Sequence, residues 1–109
     1  MAYDENLNLR LREILNHVDG LEEKEMFGGV GFLVNGNMAC GVHKDSLIVR
    51  VGPEKYQAAL DYENARVFDM TGRPMTGWVM VAAPGFATDK ALSDWVQQGL
   101  DFALSLPPK

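Results

Sequence analysis

The tripeptide Asn35-Gly36-Asn37, set between the apolar runs Val30–Val34 and Met38–Val42, constrains this chain more than any other feature. A tight primed turn demands positive φ at its centre, which Asn and Gly tolerate best, so the two runs must pair as an antiparallel hairpin. Alternation predicts Val30, Phe32 and Val34 on one face, and Met38, Cys40 and Val42 together on one face of the partner strand. His43-Lys44-Asp45-Ser46 then turns the chain into a strand over Leu47–Val51. There Leu47, Val49 and Val51 point one way, and Ile48 and Arg50 the other.

Helices are expected around this sheet. Asp4 can cap a first helix whose stripe is Leu7, Leu11, Ile14, Leu15 and Val18, with Gly20 as its stop. Glu22–Phe27 carries four charges and reads as an edge strand. Gly52-Pro53 opens a short helix with Pro53 at its first position. Arg66–Met70 and Trp78–Ala83 read as two more strands, joined by the turn-rich loop Thr71-Gly72-Arg73-Pro74-Met75-Thr76-Gly77. Thr88 caps a last helix with the stripe Leu92, Trp95, Val96, Gly99, Phe102, Ala103 and Leu106, ended by Pro107-Pro108. Gly99 costs a helix interior about 1 kcal/mol relative to alanine, so a close contact with the sheet is expected there. Three or four strands, a helix, two strands and a helix, preceded by a helix, imply an α+β fold. It has two layers, an antiparallel sheet with helices on one face, in a single domain over residues 1–109.

Composition narrows the function. Fifteen acids oppose ten bases, a net charge of −5. Residues 1–25 hold seven acids against three bases, so most of the excess is local. Duplex DNA and anionic membranes repel such a surface, and no helix face carries a basic stripe, which argues against direct nucleic-acid binding. No apolar run approaches the roughly 20 residues that span a bilayer. The lone Cys40 has no partner for a disulfide and fits a reducing cytoplasm.

No catalytic constellation emerges. Cys40 and His43, three apart on a strand, point to opposite faces, against a nucleophile pair. His17 and His43 are far apart in sequence, and no metal-ligand motif is present. Gly28-Gly29-Val30-Gly31 precedes a strand and lacks the lysine of a phosphate loop, so it reads as a close backbone approach. No cofactor or metal is implied. The residues that stand out for binding are Arg50, inside an apolar strand, and Arg73, in the Gly/Pro loop. Each is expected either to hold an anion or to pair with Asp69 or Asp45. Phe27, Met75 and Trp78 complete the candidate set as members of an adaptable apolar contact patch.

Met26-Phe27-Gly28-Gly29, Phe32, Gly36, Met38, Arg50, Gly72, Pro74, Met75, Gly77 and Trp78 stand in an order and spacing that resemble the N-terminal domain of the TfoX/Sxy family of competence regulators. The resemblance implies a secretion-chaperone-like α+β fold in the order helix, three strands, helix, two strands, helix. In that order the Glu22–Phe27 segment would continue into the first hairpin strand. The family's full-length regulators carry a second domain and are described as transcriptional co-activators; this chain is expected to be a stand-alone N-terminal domain. The resemblance supplies no catalytic residues. It suggests a small cytoplasmic bacterial regulatory or protein-interaction module, with a homodimer among the expected assemblies. The other reading is an anion- or small-ligand-binding protein, or an enzyme, in which Arg50 and Arg73 converge on one pocket beside Tyr56 or Trp78.

Overall fold

The computed structural model describes residues 3–26, 28–69 and 72–109, with Met26 described for its backbone only. Helix α1 (Glu5–Leu15) starts where Asp4 places it: the carboxylate accepts the Asn6 and Leu7 N–H groups at 2.9 and 3.1 Å. It stops at Leu15, capped by Asn16, well short of Gly20. Val18 thus lies beyond the helix but still packs on the core.

Four strands follow: β1 (Leu21–Met26), β2 (Gly29–Val34), β3 (Asn37–His43) and β4 (Ser46–Arg50). Asn35 and Gly36 both take positive φ, 54° and 86°, in the two-residue turn that the sequence dictates. β1 does not continue into the hairpin strand, as the family order implied. It is a separate strand that folds back antiparallel on β2, Met26 opposite Gly29, and forms a sheet edge. Helix α2 (Tyr56–Leu60) begins after Pro53, which lies in a turn rather than at a first helical position. β5 (Ala65–Val67) and β6 (Trp78–Val81) are shorter than their apolar runs, and a 3₁₀ turn at Ala83–Phe86 leads to α3 (Asp89–Ser105), capped by Thr88.

The strands form one antiparallel sheet in the order β1-β2-β3-β4-β6-β5. One of its faces builds the core. Val30, Phe32, Cys40, Val42, Leu47, Val49, Val79 and Val81 meet Leu7, Leu11 and Leu15 of α1, Tyr56 and Ala59 of α2, and Leu92, Trp95 and Val96 of α3. Each large apolar side chain buried there contributes roughly 1.5–3 kcal/mol. The fold is therefore the two-layer α+β arrangement expected, with helices on one face.

One side chain departs from simple alternation. Phe32 faces Cys40 but Leu33 faces Met38, so Ala39 is an extra residue, a bulge in β3. Ala39 packs with Val34 and Ala103 on the helix side beside the buried Cys40, and Met38 is turned to the other face. The bulge also explains Gly99: a Cβ there would strike the Ala39 carbonyl oxygen, so only glycine lets α3 lie this close to β3.

Candidate functional site

The second face of the sheet carries no helix among the described residues. By alternation from the core positions it presents Leu33, Met38, His43, Ile48, Arg50, Trp78, Met80 and Arg66. Leu33, Met38, Trp78 and Met80 are half-buried, whereas Ile48 is buried. Phe68, the residue after β5, folds over this face. Its ring meets His43 edge-on and Trp78 at a tilt, each with centroids 6.3 Å apart.

Arg50 and Trp78 are directly opposed in the β4–β6 pairing. The Arg50 guanidinium lies 5.3 Å from the Trp78 ring centroid and 5.2 Å from that of Phe102 on α3. The expected pairing of Arg50 with Asp69 or Asp45 is not observed; two aromatic rings hold the guanidinium instead. Phe102 had been assigned to the apolar stripe of α3, and sequence alone gives no sign that it caps an arginine on β4.

The loop before Trp78 is fixed by its backbone. Gly72 N–H donates to the Asp69 carbonyl at 2.8 Å, Met75 N–H to Phe68 at 3.0 Å and Trp78 N–H to Met75 at 3.0 Å. The Gly77 carbonyl accepts from Val51 and Gly52, at 2.8 and 3.0 Å, tying the loop to the end of β4. Gly77 manages this at φ +92° while packed on the Gly52–Pro53 backbone. Met75 is half-buried in this loop, and Arg73 is exposed, with no ion pair or hydrogen bond among the described residues. The structure thus brings Arg50 and Trp78 together and puts Met75 and Arg73 in the loop that leads to them. Phe27 lies outside the described residues. Tyr56 is buried under the helices, on the other side of the sheet.

A shallow cleft of about 350 Å³ lies at the same end, lined among others by Gly52, Pro53, Lys55, Asp101, Phe102 and Ser105. Arg50 and Arg73 are absent from its walls. Sequence reasoning passed over Met80 and Arg66, although the alternation Ala65-Arg66-Val67 and Val79-Met80-Val81 marked both as facing away from the core.

The nucleophile reading fails on geometry. Cys40 is fully buried on the helix side, where burial pushes its thiol up to about 12, while His43 faces outward against Phe68. Among the described residues no three His, Cys, Asp or Glu side chains gather as metal ligands would, and no helix is long and apolar enough to cross a membrane.

Comparison with known proteins agrees with this architecture. A family model described as the TfoX N-terminal domain matches residues 13–103, from within α1 through most of α3, and so takes in the whole sheet with Arg50, Arg73 and Trp78. Neither the curated proteins nor the solved structures returned a match. The chain belongs to the TfoX N-terminal domain family.

Proposed function

We propose that this domain is a regulatory protein-interaction module that works through the sheet face its helices leave open. One observation carries the reading: Trp78 and Met80 on β6, and Leu33 and Met38 on β2 and β3 beyond Ile48 and Arg50 of β4, are only partly buried on a sheet face with no helix of the described chain over it. Isolated exposed apolar residues are ordinary, but partly exposed apolar residues grouped on one uncovered sheet face and rimmed by polar groups mark a contact surface. The methionines suit it, because an unbranched thioether can repack against a partner. Family membership supports a regulator-like role. The single buried thiol fits a reducing compartment, which supports a cytoplasmic location.

Photo-cross-linking in the living host tests the reading. A benzophenone side chain in place of Met80 is expected to capture a second polypeptide. The same group in place of Leu104, an apolar residue 53% exposed on α3, is the control and should capture little. Equal yields from the two positions, or none from position 80, would remove the open face as the contact surface.

A further inference from the structure

We propose that the partner presents an acidic segment with apolar anchors, seated across Trp78 and Met80 and held by Arg50 and Arg66, with Arg73 at the rim. This rests on reading the open face as a protein-contact surface, and adds the chemistry of what docks there.

In a chain with fifteen acids and ten bases, most arginines and lysines should find a carboxylate. Some do: Arg10 meets Asp89 at 3.3 Å, Arg12 meets Glu23 at 2.8 Å, Lys24 meets Glu22 at 3.6 Å and Lys90 meets Asp94 at 2.9 Å. Arg50, Arg66 and Arg73, like the lysines Lys44, Lys55 and Lys109, pair with no carboxylate among the described residues, and these arginines are the unpaired ones. The three arginines are gathered at one end of the sheet, whereas the acidic excess sits in residues 1–25, on α1 and the opposite edge strand β1.

The register sets their spacing. Arg50 is opposite Trp78, and Arg66 is opposite Met80 one pair further along the same face. Arg50 therefore flanks the Trp78–Met80 pair from the β4 side and Arg66 from the β5 side. With strands about 4.8 Å apart and about 3.4 Å per residue, their backbones lie roughly 12 Å from each other across an apolar centre. Two carboxylates with an apolar residue between them match that layout, a form of acidic-motif recognition by arginine. Arg50 is also held in advance. Two rings fix its guanidinium, so little rotamer freedom remains to be lost when a carboxylate docks on its N–H edge.

Other occupants fit less well. Single-stranded nucleic acid is held by bases stacking on open rings, but Arg50 covers one face of Trp78 and Phe68 leans on the ring. The net charge of −5 adds a general repulsion. The acidic edge strand β1 of a second copy could supply carboxylates, but a head-to-tail contact of that kind does not close into a dimer.

Fluorescence anisotropy on the whole chain tests the proposal with three labelled probes. The first is a synthetic peptide alternating Glu and Asp with Leu and Phe, the second the same peptide with lysine for every acid, and the third a single-stranded oligonucleotide. The acidic peptide should bind and the lysine peptide should not. Arg66→Glu should weaken binding by about tenfold or more, and so should added salt, while Arg66→Lys restores most of it. Arg66 is exposed, so its variants should keep the wild-type circular dichroism spectrum. No binding of the acidic peptide, equal binding of both peptides, or an unchanged affinity in Arg66→Glu would overturn the proposal. Tighter binding of the oligonucleotide would replace it with a nucleic-acid partner. Sedimentation showing open-ended self-association that Arg66→Glu abolishes would replace it with a second copy. If Arg66→Glu leaves the cross-link from position 80 intact, the contact face stands and the acidic partner falls.

Discussion

The two faces of this sheet are built from the same strands yet solve opposite problems. On the helix side the central positions are closed: Phe32, Leu47, Val49, Val79 and Val81 are wholly buried beneath three helices. On the other side Ile48 and Phe68 are buried, but Leu33, Met38, Trp78 and Met80 are only partly so. Arg10 and Arg12 on α1 and Lys90 on α3 pair with carboxylates, whereas Arg50 and Arg66 on the open face do not, although Lys24 pairs with Glu22 on the open face of β1. An antiparallel sheet with one packed and one solvated face usually alternates apolar and polar residues. Here the outer positions of β6 are Trp and Met, so the exposed face resembles a core that lacks its second layer. Stability should reside in one face and recognition in the other.

Truncating each face tests that division most sharply. Phe32→Ala removes a fully buried ring and should cost about 3–5 kcal/mol, enough to unfold much of a marginal domain. Met80→Ala should cost about 1 kcal/mol or less, because its side chain is already part-hydrated. Urea unfolding followed by tryptophan fluorescence measures both. Comparable losses would mean that the outer face is structural and the division is false.

What could be read in advance follows that difference. The hairpin turn, the Asp4 and Thr88 caps and the close approach at Gly99 were legible because each is decided by a residue and its near neighbours. The outward turn of Met38 was not, because the bulge at Ala39 exists only in the pairing of β3 with β2. The split between β1 and β2 likewise needs the pairing of Met26 with Gly29. Arg50 and Trp78 could be picked out as unusual residue types in their segments. That Phe102, from the last helix, would complete the cage around Arg50 is a tertiary fact with no local signal. Phe27, prominent in the motif, lies outside the described residues.

Gly99→Ala probes the packed side by sign rather than size. In a free helix this change would stabilise by about 1 kcal/mol. Here the new methyl meets the Ala39 carbonyl, and the domain should lose about 1–3 kcal/mol as α3 is pushed off β3. A gain in thermal midpoint would show that α3 has slack and that the helix layer is looser than the contact implies. Asp4→Ala, by comparison, should cost about 1 kcal/mol, since two N–H groups of α1 lose their acceptor. Asp4→Asn should recover most of that loss in the same melting experiment, because an amide oxygen can still cap.

The smallest expected effect lies where the helix layer meets the edge strand. Arg12 grips Glu23 with two hydrogen bonds of 2.8 Å, and Asn8 adds a longer one at 3.4 Å. These bonds, Arg12's first, hold the Glu23 carboxyl below the ordinary glutamate value of 4.5, against the opposing effect of partial burial. A carboxyl whose folded pKa is depressed contributes stability above its unfolded pKa, and that contribution fades as the pH falls through the folded value. The pair is solvent-accessible, with Arg12 53% exposed, so it should add little to stability near neutrality. Glu23→Gln should therefore lower stability slightly at neutral pH, and the difference from the wild type should vanish once acid has protonated Glu23. If the difference persists unchanged below that range, α1 is held to β1 by packing and the amide contact of Asn8, not by charge. The Arg12–Glu23 ion pair would then contribute nothing to stability at this edge.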